Sequence, residues 1–176
     1  MRIVSQFPYD ELKVRLLLNN DDLSDLWCAE EDLNDFLKNN AKSYHDLMLG
    51  RTYLCIYKDK VVGFMTLSID TIRAEIMQEE DKLKNIRIKS YPALKIARLA
   101  IDIKYERKGI GKFLVLIAIG KALELSRTVG CRLIIVDSKP DAILFYKKLE
   151  FKLMKEHQER SYPIMYFDLY PSFKSD

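Results

Sequence analysis

The residues best suited to chemistry are Arg107-Lys108-Gly109-Ile110-Gly111, followed by Lys112. They lie between an apolar run ending at Ile103 and a second apolar run from Phe113. A loop there opens a helix, and the first turn of a helix leaves backbone N–H groups without partners, pointing along the axis. Such a turn binds phosphate, helped by the helix dipole. Glycines let the phosphate approach the backbone closely and tolerate positive φ. Arg107, Lys108 and Lys112 add cationic charge. Two nucleotide loops are excluded. Glu106 stands where a Walker loop needs its first Gly, and Phe113 where it needs Ser or Thr. Leu114 stands where a dinucleotide fingerprint needs its third Gly. Taken alone, the segment is an anion-friendly turn, and a short structural turn before a helix is the better reading of it.

A second block lies downstream: Val136-Asp137-Ser138-Lys139-Pro140-Asp141-Ala142-Ile143-Leu144-Phe145-Tyr146-Lys147-Lys148-Leu149-Glu150-Phe151. It resembles the C-terminal signature of the GNAT (Gcn5-related N-acetyltransferase) superfamily, in which a strand end leads to a helix with Ala, then Tyr, then Gly-Phe. Glu106 to Gly111 resembles the same superfamily's Gln/Arg-x-x-Gly-x-Gly/Ala element. The N-terminal half, with Trp27 to Lys38, Ala41, Arg51-Thr52-Tyr53, Val62 to Leu67 and Ala97-Arg98-Leu99-Ala100-Ile101-Asp102, is similar to a branch that includes the aminoacyl-tRNA-acetylating toxins. The resemblance runs from about Leu18 to Leu169.

The resemblance implies an α+β GNAT fold. Its mixed central sheet would have six to seven strands, helices on both faces and a splayed fourth/fifth strand pair. It implies acetyl-CoA as the cofactor, held at Arg107, Lys108, Gly109, Ile110, Gly111 and Lys112. Leu99, Ala100 and Ile101 would pair through their backbone with the pantetheine, like an added strand, and a backbone N–H in that stretch would polarise the thioester carbonyl. Tyr146 is the candidate general acid, because a phenol is protonated at neutral pH. A packed helix tyrosine is the alternative, and Phe145 is assigned to the core. The implied partners are acetyl-CoA and a primary amine acceptor, with tRNA, an antitoxin and a second copy of the chain as further candidates. Three alternatives stay open: an acetyltransferase of small molecules or proteins, a non-catalytic CoA-binding module, and a structural protein.

Three positions depart from the pattern. Glu106 replaces Gln or Arg and puts a carboxylate near the phosphates. Glu150 replaces the Gly before Phe151, so the turn there should differ. Lys139 stands near a common Asn. No general base is legible: Asp102, Glu106, Glu75, Glu79 and Glu80 are all candidates. An α-amine, with a pKa near about 8, needs a weaker base than lysine does. The basic stretch Lys82-Leu83-Lys84-Asn85-Ile86-Arg87-Ile88-Lys89, with Tyr91 and Lys95 beyond, is read either as a tRNA phosphate contact or as a charged, solvated strand face.

The elements that must position these residues follow from periodicity. Val14 to Leu18 is a strand. Glu30 to Leu49 is a helix, with Leu33, Phe36, Leu37 and Ala41 on one face and Gly50 as its stop. Thr52–Tyr57 and Val61–Ile69 form a hairpin around Lys58-Asp59-Lys60. Ile72, Ile76 and Met77 suggest a helix, and Ile86 with Ile88 an extended piece. Ala93 to Ile103 is a strand covered on both sides, with Pro92 at its start. A helix runs from Ile110 to about Val129, capped by Gly130. Arg132 to Asp137 is a strand, Pro140 opens a helix to Leu149, and Phe151–Glu156 and Ile164–Leu169 are the last strands.

Bulk properties narrow the classes. The chain has 176 residues, 48% hydrophobic and 31% charged, with net charge +3. That suits a single globular domain, excludes disorder and favours an anionic partner only mildly. No apolar run approaches the ~18 residues of a membrane span. Met1 to Gln6 does not open a signal peptide. Cys28, Cys55 and Cys131 are scattered and odd in number, and His45 and His157 have no partner at ligand spacing, so neither a disulfide framework nor a metal site is expected. The expected compartment is the cytoplasm.

Overall fold

A computed structural model describes residues 7–155 and 161–173. The readings made on Met1–Gln6, on Glu156 as a strand end and on His157 fall outside the described residues. The elements are β1 (Lys13–Leu16), α1 (Glu31–Asp35), α2 (Ala41–Asp46), β2 (Arg51–Tyr57), β3 (Lys60–Arg73), β4 (Ser90–Ile101), α3 (Ile110–Ser126), β5 (Leu133–Asp137), α4 (Ile143–Lys147), β6 (Lys152–Leu153), β7 (Ile164–Asp168) and α5 (Tyr170–Phe173). The seven strands take the order β1-β2-β3-β4-β5-β7-β6. The β4–β5 pair is parallel, whereas β1–β2, β2–β3, β5–β7 and β6–β7 are antiparallel. The residues divide into two compact units, Met1–Leu67 with Arg98–Ile117, and Ser68–Ala97 with Ala118–Asp176.

The first unit is built on the hairpin. Lys58 and Asp59 both take positive φ, 47° and 61°. This is the handedness that a tight hairpin needs, achieved here without Gly or Asn. Leu54 and Cys55 are neighbours in β2, point to opposite faces and are both fully buried, so both faces of the strand are covered. One face carries a core of Leu17, Leu26, Phe36, Leu37, Ala41, Leu54, Phe64 and Ala100. The helix expected over Glu30–Leu49 is found in pieces: α1, a π-helical turn at Phe36–Asn40, and α2. The wide turn ends in Asn39 and Asn40, weak helix formers. Gly50 is not the left-handed stop. Met48 takes that conformation, with φ 57°. A Cβ on Gly50 would lie 3.0 Å from Thr66 Cγ2, so its glycine serves close packing.

The second unit corrects several readings. β3 continues to Arg73 and a 3-10 turn follows at Ala74–Ile76, so Ile72 and Ile76 belong to a strand end and a turn rather than a helix. Residues 82–89 are irregular, not a strand. The segment is tied down from below. Ala74 N–H donates to Lys89 O (2.9 Å), Leu83 N–H to the Tyr91 phenol (3.0 Å) and Lys155 N–H to Ile76 O (2.9 Å). Tyr166, fully buried, donates its phenol to Asp81 at 2.5 Å. The core here joins Ile72, Met77, Tyr91, Ala93, Leu133, Ile135 and Met154. Pro92 lies inside β4 rather than before it. β6 has only Lys152 and Leu153 of the strand expected from Phe151. The helix after Pro140 begins as a 3-10 turn and ends at Lys147.

Candidate functional site

The loop is held in the first unit by residues far from it in sequence. β4 runs on to Ile101, and Asp102, 4% exposed, caps the 3-10 turn Ile103–Tyr105. One Asp102 oxygen accepts from Lys104 N–H (2.8 Å) and the other from Trp27 N–H (3.1 Å). Ile103 N–H returns a bond to Trp27 O (2.8 Å). Both Asp102 oxygens thus serve the backbone, and a capping carboxylate is a poor choice of base.

Arg107 then takes φ 58° and Gly109 φ 83°. Left-handed residues on either side of Lys108 turn successive N–H groups toward one side, the geometry of an anion-binding concavity. A Cβ on Gly109 would fall 2.0 Å from the Tyr9 phenol oxygen, so the position admits only glycine unless Tyr9 moves. Tyr9 is the clamp. Its hydroxyl donates to Lys108 O (2.8 Å) and its ring stacks on Phe113 with centroids 6.3 Å apart. Nothing in the sequence signals this pairing across 99 positions.

Phe113 N–H bonds to Gly109 O (3.0 Å) and begins the α3 ladder, so the amides of Ile110, Gly111 and Lys112 have no acceptor within the helix. Ile110 is buried as the anchor, while Arg107, Lys108 and Lys112 are exposed. Lys108 Nζ lies 4.9 Å from the Tyr105 ring centroid. Glu106 is exposed. An amide cradle with exposed cations around it fits a pyrophosphate such as that of acetyl-CoA. The departure at Glu106 leaves those amides intact.

Leu99, Ala100 and Ile101 are in the same unit as the loop, at the end of β4. The parallel register of β4 with β5 stops at Ile96–Val136, five residues before β4 itself ends. That stretch of backbone therefore has no β5 partner in the register.

Tyr146 belongs to the second unit, on α4. It is 5% exposed and packs against Phe145 (4.9 Å) and Phe151 (5.4 Å between centroids). Burial pushes its phenol well above the ordinary tyrosine pKa, so the proton stays on. No described residue accepts a hydrogen bond from the phenol. Phe145 is only half-buried, less of a core residue than expected. Glu150 takes φ 66°, a left-handed conformation that glycine adopts without strain and a residue with a Cβ only at a cost. Phe151 N–H and Leu149 N–H both bond to Tyr146 O, which closes the helix at the tyrosine.

Three further base candidates are engaged with cations. Glu75 pairs with Arg73 (2.7 Å) and Glu80 approaches Lys152 (3.6 Å). Glu79 bonds to Lys155 and Lys82, which lower its pKa to about 2, too acidic for a useful base. The basic stretch is also less cationic than its composition. Lys82 is paired with Glu79, and Lys95 with Asp137 (2.6 Å) and Asp70 (3.5 Å). Desolvation draws the Lys95 pKa down, but the Asp137 and Asp70 carboxylates outweigh it and the net shift is upward. Lys84, Arg87 and Lys89 stay exposed, and Lys84 and Arg87 line a cleft of about 490 Å³.

The three cysteines are free and buried, and burial raises the Cys55 thiol to about 12. Among the described residues no group of three His, Cys, Asp or Glu is placed to hold a metal ion. No described helix is long and apolar enough to cross a membrane.

Comparison with known proteins gives the same family as the loop and the Tyr146 block. A tRNA-acetylating toxin of Mycobacterium tuberculosis (strain ATCC 25618 / H37Rv) is 26% identical over 140 residues, covering 79% of this chain and 83% of the relative. The structure of AtaT complexed with acetyl-methionyl-tRNAfMet superposes with a TM-score of 0.84 at 25% identity, covering 93% of this chain and 98% of that one. AtaTR bound with AcCoA gives 0.77 at 26% identity, over 94% and 98% of the two chains. The model of the acetyltransferase (GNAT) domain matches residues 49–153, which include the end of β4, the glycine loop and Tyr146, and the chain belongs to the GNAT acetyltransferase family.

Proposed function

We propose that this protein is an acetyl-CoA-dependent N-acetyltransferase whose acceptor is the α-amine of an aminoacyl-tRNA, working in the cytoplasm as a single catalytic domain. The carrying observation is the amide cradle at the start of α3, shaped by Arg107 and Gly109 and clamped by Tyr9, in a chain similar along most of its length to a tRNA-acetylating toxin and to AtaT. By the same likeness an antitoxin is a proposed partner, and a second copy of the chain another.

Acetyl-CoA supplies a thioester, an acyl group open to attack by an amine. The amides of Ile110, Gly111 and Lys112, with Arg107, Lys108 and Lys112 as counter-charges, hold its pyrophosphate. The backbone of Leu99–Ile101 pairs with the pantetheine, and an N–H there polarises the carbonyl. Tyr146 donates its phenol hydrogen toward the departing sulfur. A raised pKa keeps that proton in place until negative charge develops. No protein base is assigned, because an α-amine of pKa about 8 is partly neutral at physiological pH.

Tyr146→Phe tests the assignment. It keeps the ring packing and removes only the proton. Turnover with aminoacyl-tRNA should fall ~10²-fold or more while calorimetry shows unchanged acetyl-CoA affinity. Full turnover in that variant would remove Tyr146 from the chemistry. A mass-spectrometric screen of amines and charged tRNAs identifies the acceptor.

A further inference from the structure

Arg98 is a half-buried cation for which no anion is found among the described residues. Its guanidinium carbon lies 3.7 Å from the Phe36 ring centroid and 5.4 Å from that of Tyr44. Those rings are themselves fixed, edge to face at 5.3 Å, and Phe36 is 4% exposed in the core. Four other arginines are matched. Arg132, also half-buried, makes two bonds to Asp168 (2.6 and 2.7 Å), and Arg15 makes two to Asp21. Arg51 finds His45 O and Arg73 finds Glu75. For Arg98 no described carboxylate or carbonyl meets the N–H groups.

A partly desolvated charge with no counter-ion is unfavourable unless something else satisfies it. Stacking supplies only the ring faces and leaves the planar fork of donors open at its edge, oriented in advance. The position is informative too. Arg98 precedes Leu99-Ala100-Ile101 in β4, and on a strand it shares a face with Ala100, which packs with Phe36, while Leu99 and Ile101 point the other way.

We propose that Arg98 is an acceptor-binding residue that takes a phosphate near the 3′ end of the aminoacyl-tRNA, in a bidentate contact on the face of β4 shared with Phe36 and Tyr44. Guanidinium matches phosphate geometry and is weakly hydrated, so a pre-oriented one binds with little loss of freedom. The contact anchors the acceptor close to the strand whose backbone handles the acyl group. This rests on the aminoacyl-tRNA reading above.

The test uses Arg98→Met, which keeps a stem over the rings without charge, and Arg98→Lys, which keeps charge without the fork. Initial rates are measured with aminoacyl-tRNA across a salt series and with methioninamide, an acceptor that has no phosphate, alongside calorimetry with acetyl-CoA. Arg98→Met should lower kcat/KM for aminoacyl-tRNA about 10–100-fold, mainly through KM. It should also flatten the slope of log(kcat/KM) against log salt by about 0.7, one single-stranded phosphate contact. Acetyl-CoA affinity and the methioninamide rate should stay within about twofold, with Arg98→Lys between Met and wild type. Unchanged tRNA kinetics and slope would overturn the proposal. So would an equal loss with methioninamide, or loss of acetyl-CoA binding in both variants, since either marks Arg98 as structural. A wild-type protein that acetylates methioninamide but no aminoacyl-tRNA brings down the acceptor reading and this proposal with it.

Discussion

Two basic segments, Arg107–Lys112 and Lys82–Lys95, look alike in composition and differ in what the fold does with them. In the first, the backbone is the proposed binding element: positive φ at Arg107 and Gly109 and the start of α3 set the amides, and exposed cations surround them. In the second, the backbone is irregular as far as Lys89, and two of the five cations are paired within the chain, Lys82 with Glu79 and Lys95 with Asp137 and Asp70. Charge counted along a chain therefore overstates a surface. Cations are available to a ligand only where the fold supplies no internal acid.

The comparison can be broken at four points. The largest effect should come from Gly109→Val. A left-handed non-glycine conformation costs ~1–2 kcal/mol by itself, and the added Cβ meets the Tyr9 oxygen. Calorimetry should show acetyl-CoA affinity reduced at least ~10-fold. Unaltered binding would mean that the loop geometry is not the cradle. Next is the double variant Lys84→Ala with Arg87→Ala. Removing two phosphate contacts should lower kcat/KM for tRNA about 5–10-fold and reduce the salt slope by about 1–2, with acetyl-CoA affinity constant. Unchanged tRNA kinetics would assign that stretch to ordinary solvated charge.

Tyr9→Phe keeps the stack on Phe113 and removes the bond to Lys108 O. A net loss of about 0.5–1 kcal/mol should appear as a two- to fivefold weaker acetyl-CoA affinity, and Gly109→Val in that background should be less harmful because the clashing oxygen is gone. The smallest effect belongs to Glu79. Its bonds to Lys155 and Lys82 depress its pKa from 4.5 to about 2. A depressed carboxylate stabilises the fold above its unfolded pKa and loses that contribution as pH falls through the folded one. The window is therefore from about pH 4.5 down to about 2. The side chain is fully exposed, so solvent screening keeps the effect small. Thermal melts of Glu79→Gln should differ from wild type above the window and converge with it at the acid end.

Much of this was legible beforehand, for reasons that can be named. The hairpin, β4, α3 and β5 follow from local pattern, because each buries an apolar run long enough to be read without neighbours. The glycine loop follows from residue type and spacing, and the Tyr146 block from its resemblance to the GNAT signature. The failures cluster where local pattern and tertiary packing disagree. Ile72 and Ile76 carry helical spacing, yet β3 extends through Arg73, since strand pairing outweighs propensity. Ile86 and Ile88 alternate like a strand, yet Ile86 is 63% exposed and the segment is irregular. Asp102 was a candidate base by its place after β4. Only the fold shows that Trp27, 75 positions away, takes one of its oxygens.

The sequence by itself determined the family, the loop proposed to bind an anion and the identity of its glycines, because these depend on residue type at short spacing. Tertiary structure decided everything that needs a distant partner. It placed Tyr9 against Lys108, gave Lys82 and Lys95 internal acids, and left Arg98 stacked on Phe36 without one among the described residues. Whether a charge is spent or available is a property of what packs beside it, and that is written in contacts across the chain rather than along it.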